Sequence, residues 1–102
     1  MKRPKTVDEY VDLVHQAVYE IDEFRTSLDY DPENAEMFSA FLDQLDAHVR
    51  KVFNDMVAGN YEWGYGQDLP YMPLVVKFGR LIPFQRLLMT VNETHKNGLD
   101  LD

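Results

Sequence analysis

Three histidines that lie near carboxylates are the residues whose spacing first suggests metal chemistry. The pairs are Asp12 with His15, Asp46 with His48, and Glu93 with His95. Helical di-metal centres use two carboxylate-x-x-histidine units and further carboxylates that point inward, but only Asp12 and His15 have this spacing. They flank an apolar stripe, where neighbouring acidic residues favour a solvated, charged histidine. The sequence therefore predicts no metal site and no cofactor, and a metal-binding or enzymatic bundle stays an alternative.

Side chains suited to covalent catalysis are scarce. The chain has no cysteine, and its serines are Ser27 and Ser39. Neither serine lies in a glycine-flanked turn that would present a hydroxyl beside a base. Gly59, Gly64 and Gly66 lack the lysine-serine pair and the strand-to-helix setting of a phosphate-binding loop. We therefore expect neither enzymatic activity nor a nucleotide site.

The balance of charge argues against nucleic acids and membranes as partners. Eighteen acidic and ten basic residues give a formal charge of −8, which repels phosphate backbones and anionic lipid headgroups. Residues 1–60 carry −7 of this charge. A helix-turn-helix in the second half would have only four basic residues, which are Lys77, Arg80, Arg86 and Lys96. We expect no nucleic acid and no membrane binding, and we expect a protein partner to offer a basic surface.

The cellular compartment is predicted from what the sequence lacks. No segment approaches ~20 consecutive apolar residues, so no membrane span is expected. The basic N-terminus is followed by an amphipathic acidic segment, which is not the pattern of a signal peptide. The absence of cysteine is compatible with a reducing compartment. We therefore expect a cytoplasmic protein.

The first half of the chain predicts two long amphipathic helices. Thr6-Val7-Asp8-Glu9 fits a capping box that starts the first helix. Asp29-Tyr30-Asp31-Pro32 fits the start of the second, and Gly59 is suited to end it. Apolar residues recur at three- and four-residue steps along both helices, among them Val14, Ile21, Phe41 and Leu45. The short connection forces the helices antiparallel, with their apolar stripes face to face.

The second half predicts two shorter helices. Pro70 and Pro73 fit an opening turn, after which apolar residues up to Ile82 suggest a third helix that ends at Pro83. Pro83 also opens a fourth helix that Gly98 stops. We expect residues 1–102 to form a single all-α domain, a long antiparallel helical hairpin with the two shorter helices packed across it.

The connection between the second and third helices is rich in aromatic residues and glycines, as protein interfaces often are. Five of its residues are predicted to bind a partner: Tyr61, Trp63, Tyr65, Tyr71 and Met72. The alternative is that this segment lays Trp63 and Leu69 over the open end of the hairpin as a lid on the core.

One segment within this connection resembles a known family. Asp68-Leu69-Pro70-Tyr71-Met72-Pro73 is similar to the Asp-Leu-x-Tyr-x-Pro turn of the small acidic colicin nuclease immunity proteins, which are four-helix inhibitors. The likeness covers six of the 102 residues, and the first two helices here are much longer than in that family. It implies an inhibitor that presents carboxylates to a basic nuclease or toxin.

Taken together, these patterns favour a non-enzymatic, acidic protein-protein interaction module. An immunity-like inhibitor is the first alternative, and a metal-binding or enzymatic bundle is the second. A homodimer is a further alternative, because apolar surface left uncovered on the hairpin would pair with a second copy.

Overall fold

The computed structural model describes residues 1–101, apart from the side chain of Asn34, and its regular secondary structure is helical throughout this part of the chain. Four α-helices follow in order: α1 Val7–Leu28, α2 Pro32–Ala58, α3 Met72–Phe78 and α4 Gln85–Asn97. A 3₁₀ turn, Gly79–Leu81, follows α3 directly. The predicted all-α class and the order of two long and two short helices are confirmed.

The two long helices begin and end where their capping residues indicate. Thr6 and Glu9 form the predicted capping box, in which the backbone N–H of Glu9 donates to the Thr6 hydroxyl at 3.1 Å. Pro32 occupies the first turn of α2, where its missing N–H would have had no partner. Gly59 ends α2 with φ at 77°, and the N–H of Asn60 donates to the carbonyl of Asp55 at 2.7 Å. This left-handed turn satisfies the last carbonyls of the helix.

The core lies between α1 and α2 and beneath the second half of the chain. Val14, Ile21, Phe41 and Leu45, which the apolar pattern places inward, are all buried. Burying a side chain of this size contributes roughly 1.5–3 kcal/mol. Removing these residues from water therefore fixes the antiparallel hairpin.

Two arginines tie the hairpin together on its outer side. Arg25 of α1 pairs with Asp43 and Asp46 of α2, and Arg50 of α2 pairs with Asp22 and Asp46. Hydrogen bonds that the guanidinium groups donate to these carboxylates raise the pKa of both arginines. These pairs are partly exposed, so each stabilises only modestly. Their main consequence is that three carboxylates on this face already have a cationic partner.

The second half of the chain forms another layer that runs up and back along the hairpin. The rings of Phe41 and Phe78 stack with centroids 4.5 Å apart, and Phe24 lies 6.1 Å from Phe84. The junction between α3 and α4 therefore lies near the α1–α2 connection, at what we call the turn end. From there α4 returns along α1 to the opposite, open end, where the N–H of Asp100 donates to the carbonyl of Pro4 at 2.9 Å.

The predicted boundaries of the short helices need one correction. Pro83 does separate α3 from α4, but α3 itself ends at Phe78 and α4 begins at Gln85. The segment between them is tightened into the 3₁₀ turn, and the N–H of Ile82 donates to the carbonyl of Gly79. The whole molecule measures 45 × 25 × 20 Å. Among the described residues, no helix has both the length and the apolarity to cross a bilayer.

Candidate functional site

The aromatic loop, residues 60–71, crosses the C-terminal end of α4 and caps it. The backbone N–H groups of Gly64 and Gly66 donate to the carbonyl oxygens of His95 and Lys96, each at 2.9 Å. These carbonyls lie in the last turn of α4, where the helix itself supplies no donor. Backbone hydrogen bonds to α4 therefore hold the loop in place.

Side chains fix the second part of the aromatic loop to the same helix. The amide of Asn92, which is only 5% exposed, accepts a hydrogen bond from the N–H of Leu69 at 2.6 Å and donates to Asp68 at 2.9 Å. Hydrogen bonds from Asn92 and Lys96 lower the pKa of Asp68. Further along, the hydroxyl of Tyr71 donates to the carbonyl of Leu88 at 2.6 Å. The loop is thus anchored from both halves onto α4.

Three aromatic rings close the open end of the hairpin. Trp63 stacks on the buried Tyr10, with centroids 5.3 Å apart and planes inclined by 28°. The ring of Tyr61 meets both of them edge-on, at 5.6 Å from Tyr10 and 5.3 Å from Trp63. Offset and edge-on contacts of this kind stabilise beyond the area they bury. Trp63 and the buried Leu69 therefore form the lid over the core that the sequence offered as an alternative.

A chain of hydrogen bonds runs behind this lid. The hydroxyl oxygens of Tyr10 and Tyr61 lie 2.7 Å apart and share a hydrogen bond. The Tyr10 hydroxyl also lies 3.3 Å from the carbonyl oxygen of Val91. The Tyr61 hydroxyl in turn forms a hydrogen bond with Nδ1 of His95 at 2.5 Å.

The protonation states in this chain favour a structural role. Burial raises the pKa of Tyr61 to about 12 and raises that of Tyr10 further, so both hydroxyls keep their protons at neutral pH. Burial also lowers the pKa of His95, which favours the neutral ring. None of these groups is poised to act as a nucleophile near neutrality. These hydrogen bonds therefore hold the aromatic loop against α4.

Tyr65 at the tip of the aromatic loop differs from Tyr61 and Trp63 in both its exposure and its backbone conformation. Its side chain is 89% exposed, yet its backbone has φ at 49°, the left-handed region. An L-residue there is disfavoured by roughly 1–2 kcal/mol. A β-carbon on the neighbouring Gly64 would lie 2.5 Å from the ring of His95, so only glycine fits at that position without a shift of its neighbours. Backbone strain at a residue whose side chain packs on nothing is found most often at functional positions.

The structure separates the five predicted partner-binding residues. Tyr71 is 1% exposed and has almost no surface to offer a partner. Tyr61, Trp63 and Met72 are partly buried against the core. Tyr65 alone among the five presents its whole ring to solvent. The glycine on each side of Tyr65 was the signal in the sequence that could have distinguished it.

Three surface depressions flank the aromatic loop. One of about 190 Å³ lies on the side of α1 and is lined by Val7, Tyr10, Val11, Met56, Gly59, Tyr61 and Trp63. A depression of about 190 Å³ lies beside Tyr65 and is lined by Trp63, Tyr65, His95, Lys96, Asn97 and Gly98. A wider cleft of about 400 Å³ lies between the loop and α2. Its lining mixes apolar and charged side chains: His48, Lys51, Val52, Asp55, Asn60, Tyr61, Glu62, Leu69, Pro70 and His95. Within it Lys51 and Asp55 pair at 2.8 Å, so two of its charges compensate each other.

The structure does not bring the histidine and carboxylate pairs considered for metal binding together. Asp46 pairs with Arg25 and Arg50, whereas His48 lines the cleft between the loop and α2. Asp12 and His15 are exposed, and the ring of His15 stacks on Phe53 at 5.2 Å. His95 holds Tyr61, as described above. Over residues 1–101, no three histidine, aspartate or glutamate side chains are placed to hold a metal ion together.

The fold and the loop define a four-helix domain that displays an ordered aromatic loop at one end. No protein-family model, no curated protein and no solved structure matches the chain. The resemblance to immunity proteins accordingly remains confined to residues 68–73.

Proposed function

We propose that this protein is a non-enzymatic binding module that contacts a partner protein through the tip of the aromatic loop, with Tyr65 as the central contact. The observation that carries the proposal is the exposed tyrosine in a left-handed conformation. Glycine or asparagine would occupy that position with less strain. A tyrosine there is explained by what its ring contacts outside the chain.

The anchoring of the aromatic loop supports this role. Binding is weakened when side chains and loops must be ordered on contact. Here the bonds from Gly64 and Gly66 to α4 hold the backbone on both sides of Tyr65 before any partner arrives. Tyrosine is also among the residues that most often dominate the binding energy of interfaces. A preordered tyrosine therefore suits a small, specific contact.

The charge of the molecule supports a partner with a basic surface. The formal charge is −8, and exposed carboxylates such as Glu62 and Asp68 lie in the aromatic loop itself. Complementary charge speeds the encounter of two proteins and is weakened by salt. The association rate should therefore fall as salt is raised.

The test compares two exposed tyrosines. Tyr65→Gly removes the ring and relieves the strained backbone, whereas Tyr19→Ala removes an exposed ring in the middle of α1, away from both ends. Partners are captured with wild-type protein from cells that produce it, and the affinity of the recovered partner is then measured for each variant. We expect Tyr65→Gly to weaken binding at least about tenfold, with no loss of thermal stability, and Tyr19→Ala to bind normally. Wild-type affinity in Tyr65→Gly would refute the proposal.

A second candidate is an inhibitor of a basic nuclease or toxin. Two observations support it: the resemblance of residues 68–73 to immunity proteins, and the acidic four-helix fold that this resemblance implies. The discriminating measurement is cleavage of plasmid DNA and of RNA by the recovered partner, with and without this protein. A partner whose nuclease activity is abolished by stoichiometric protein favours the inhibitor. A partner without such activity excludes a nuclease inhibitor.

A further inference from the structure

The charges of this chain are segregated between two stretches that meet at the turn end. Residues 6–49 contain twelve acidic residues and one basic residue. Residues 69–92 contain no acidic residue and three basic ones. The contacts of Phe78 with Phe41 and of Phe84 with Phe24 bring the two stretches to the same end of the bundle.

The basic stretch forms an exposed corner of mixed character at the junction of α3 and α4. Lys77, Arg80 and Arg86 are all exposed, and none of them forms an ion pair within residues 1–101. Exposed apolar side chains lie beside and between them along the chain, above all Val76, directly before Lys77, at 80%. Leu81 and Met89 are exposed as well. We call this set of residues, 76–89, the basic corner.

The α1–α2 connection at the same end has the opposite charge and its own exposed apolar side chains. We call residues 29–37 the acidic tip. Its carboxylates Asp29, Glu33 and Glu36 are exposed and have no ion pair in the described part of the chain, unlike the carboxylates that pair with Arg25 and Arg50. Tyr30 is 86% exposed and Met37 is also exposed. Apolar groups interleaved with one sign of charge are typical of interface surfaces.

We propose that the turn end binds a second copy of this chain in a two-fold dimer, in which the acidic tip of each copy meets the basic corner of the other. A two-fold contact uses the same patch on both copies, so one end that carries both charges can satisfy both halves at once. The exposed apolar side chains of the tip and of the corner then cover each other. The argument rests on charge and exposure at this end and is independent of the role of Tyr65.

Such a dimer has a geometric consequence for the aromatic loop. Tyr65 lies at the open end, and α1 alone is 22 residues, or roughly 33 Å, long. Two copies joined at their turn ends hold their Tyr65 side chains roughly 60 Å apart and facing away from each other. The dimer therefore displays two separate loop tips, which suits binding to a partner that is itself repeated.

Charge reversal on each half of the contact tests the proposal. Arg80→Glu/Arg86→Glu reverses the basic corner, and Glu33→Lys/Glu36→Lys reverses the acidic tip. Masses are measured by size exclusion with light scattering at about 0.15 M salt, where long-range repulsion between acidic copies is screened, and at about 100 μM protein, which populates contacts of micromolar affinity. We expect the wild type to have the mass of a dimer and each variant alone to have the mass of a monomer.

The decisive sample is an equimolar mixture of the two variants. In the mixture every reversed residue meets a complementary one, so the dimer mass should return. Both variants remain net negative, because the wild-type charge is −8 and each variant changes it by four units. Their attraction can therefore come only from the local contact. Recovery in the mixture also shows that each variant is folded.

Matched controls change the charge equally at the open end. Lys2→Glu/Lys5→Glu and Asp12→Lys/Glu62→Lys alter exposed residues there and should leave the dimer intact. Tyr65→Gly should also leave it intact, which separates this proposal from the one for the aromatic loop. A monomeric wild type, a dimer that survives either reversal, a mixture that stays monomeric, or a mass that grows beyond a dimer with concentration would each overturn the proposal.

Discussion

Each end of the bundle exposes a tyrosine, but only the tyrosine at the open end has a strained backbone conformation. Tyr65 at the open end and Tyr30 at the turn end are 89% and 86% exposed. Tyr30 lies in an ordinary helix connection, and its N–H donates to the carbonyl of Ser27 at 3.2 Å. Tyr65 is held in the left-handed region by a loop bonded to α4. Exposure is therefore common to the two tyrosines, whereas backbone strain and anchoring belong to Tyr65 and support the proposal that it contacts a partner.

The largest expected effect separates two tyrosines within the aromatic loop. Tyr71→Ala removes a fully buried ring and leaves a cavity, so we expect the free energy of unfolding to fall by about 3–5 kcal/mol. Tyr65→Ala should change it by less than about 1 kcal/mol, because its ring packs on almost nothing. Urea unfolding followed by far-UV circular dichroism measures both. Similar losses for the two variants would show that the ring of Tyr65 is packed in solution.

The next effect tests whether Asn92 anchors the aromatic loop. Asn92→Ala leaves the N–H of Leu69 without its acceptor, and we expect a loss of about 1–3 kcal/mol. We also expect the single tryptophan, Trp63, to become more accessible to acrylamide, because the lid is no longer fixed. Asn54→Ala, an exposed asparagine of α2, is the matched control and should change neither quantity. Unaltered quenching in Asn92→Ala would show that other bonds suffice to hold the loop.

A smaller effect, with opposite signs at the two ends, tests the backbone strain. Tyr65→Gly relieves roughly 1–2 kcal/mol of backbone strain. The greater freedom of glycine in the unfolded chain offsets part of this, so we expect a net gain of up to about 1 kcal/mol. Tyr30→Gly has no strain to relieve and should lower stability by roughly 0.5–1 kcal/mol. Thermal unfolding compares the two. A loss in Tyr65→Gly equal to that in Tyr30→Gly would show that Tyr65 is unstrained.

The smallest expected effect is a dependence of stability on pH that arises from His95 at the open end. Burial lowers the pKa of His95 in the folded state below its unfolded value near 6.5. The unfolded chain therefore binds more protons in this range, so stability is fully present above pH 6.5 and declines as the pH falls through that value. His95→Gln should flatten the slope of unfolding free energy between about pH 7.5 and pH 5. An unchanged slope in that variant would assign the dependence to other groups.

The helices were predictable because their signals are local. The capping box at Thr6, the proline at the start of α2 and the left-handed glycine at its end each act through neighbours within one turn. The apolar steps likewise name the buried face directly, and Val14 and Leu45 are buried as they indicate. The ends of α3 were less predictable, since a 3₁₀ turn and a short helix share the same composition.

The candidate site was predictable only as a segment. The sequence indicated that residues 61–72 hold either partner contacts or a lid, and the structure shows that Trp63 and Leu69 cover the core. Trp63 and Tyr65 are aromatic residues two positions apart, so residue type could not distinguish them. What distinguishes them is the pair of hydrogen bonds that the N–H groups of Gly64 and Gly66 donate to the last carbonyls of α4, some thirty residues away in the sequence.

The sequence by itself determined where helices start and stop and which faces they bury, because these depend on interactions within a turn or two of the chain. Tertiary structure alone decided that Tyr61 is hydrogen-bonded to α4, that Tyr71 is buried and that Tyr65 is exposed. Those outcomes depend on hydrogen bonds between residues far apart in the chain, such as Tyr61 with His95 and Tyr71 with Leu88. No local pattern of residue types encodes such pairings, because they exist only once α4 has returned to the open end of the hairpin.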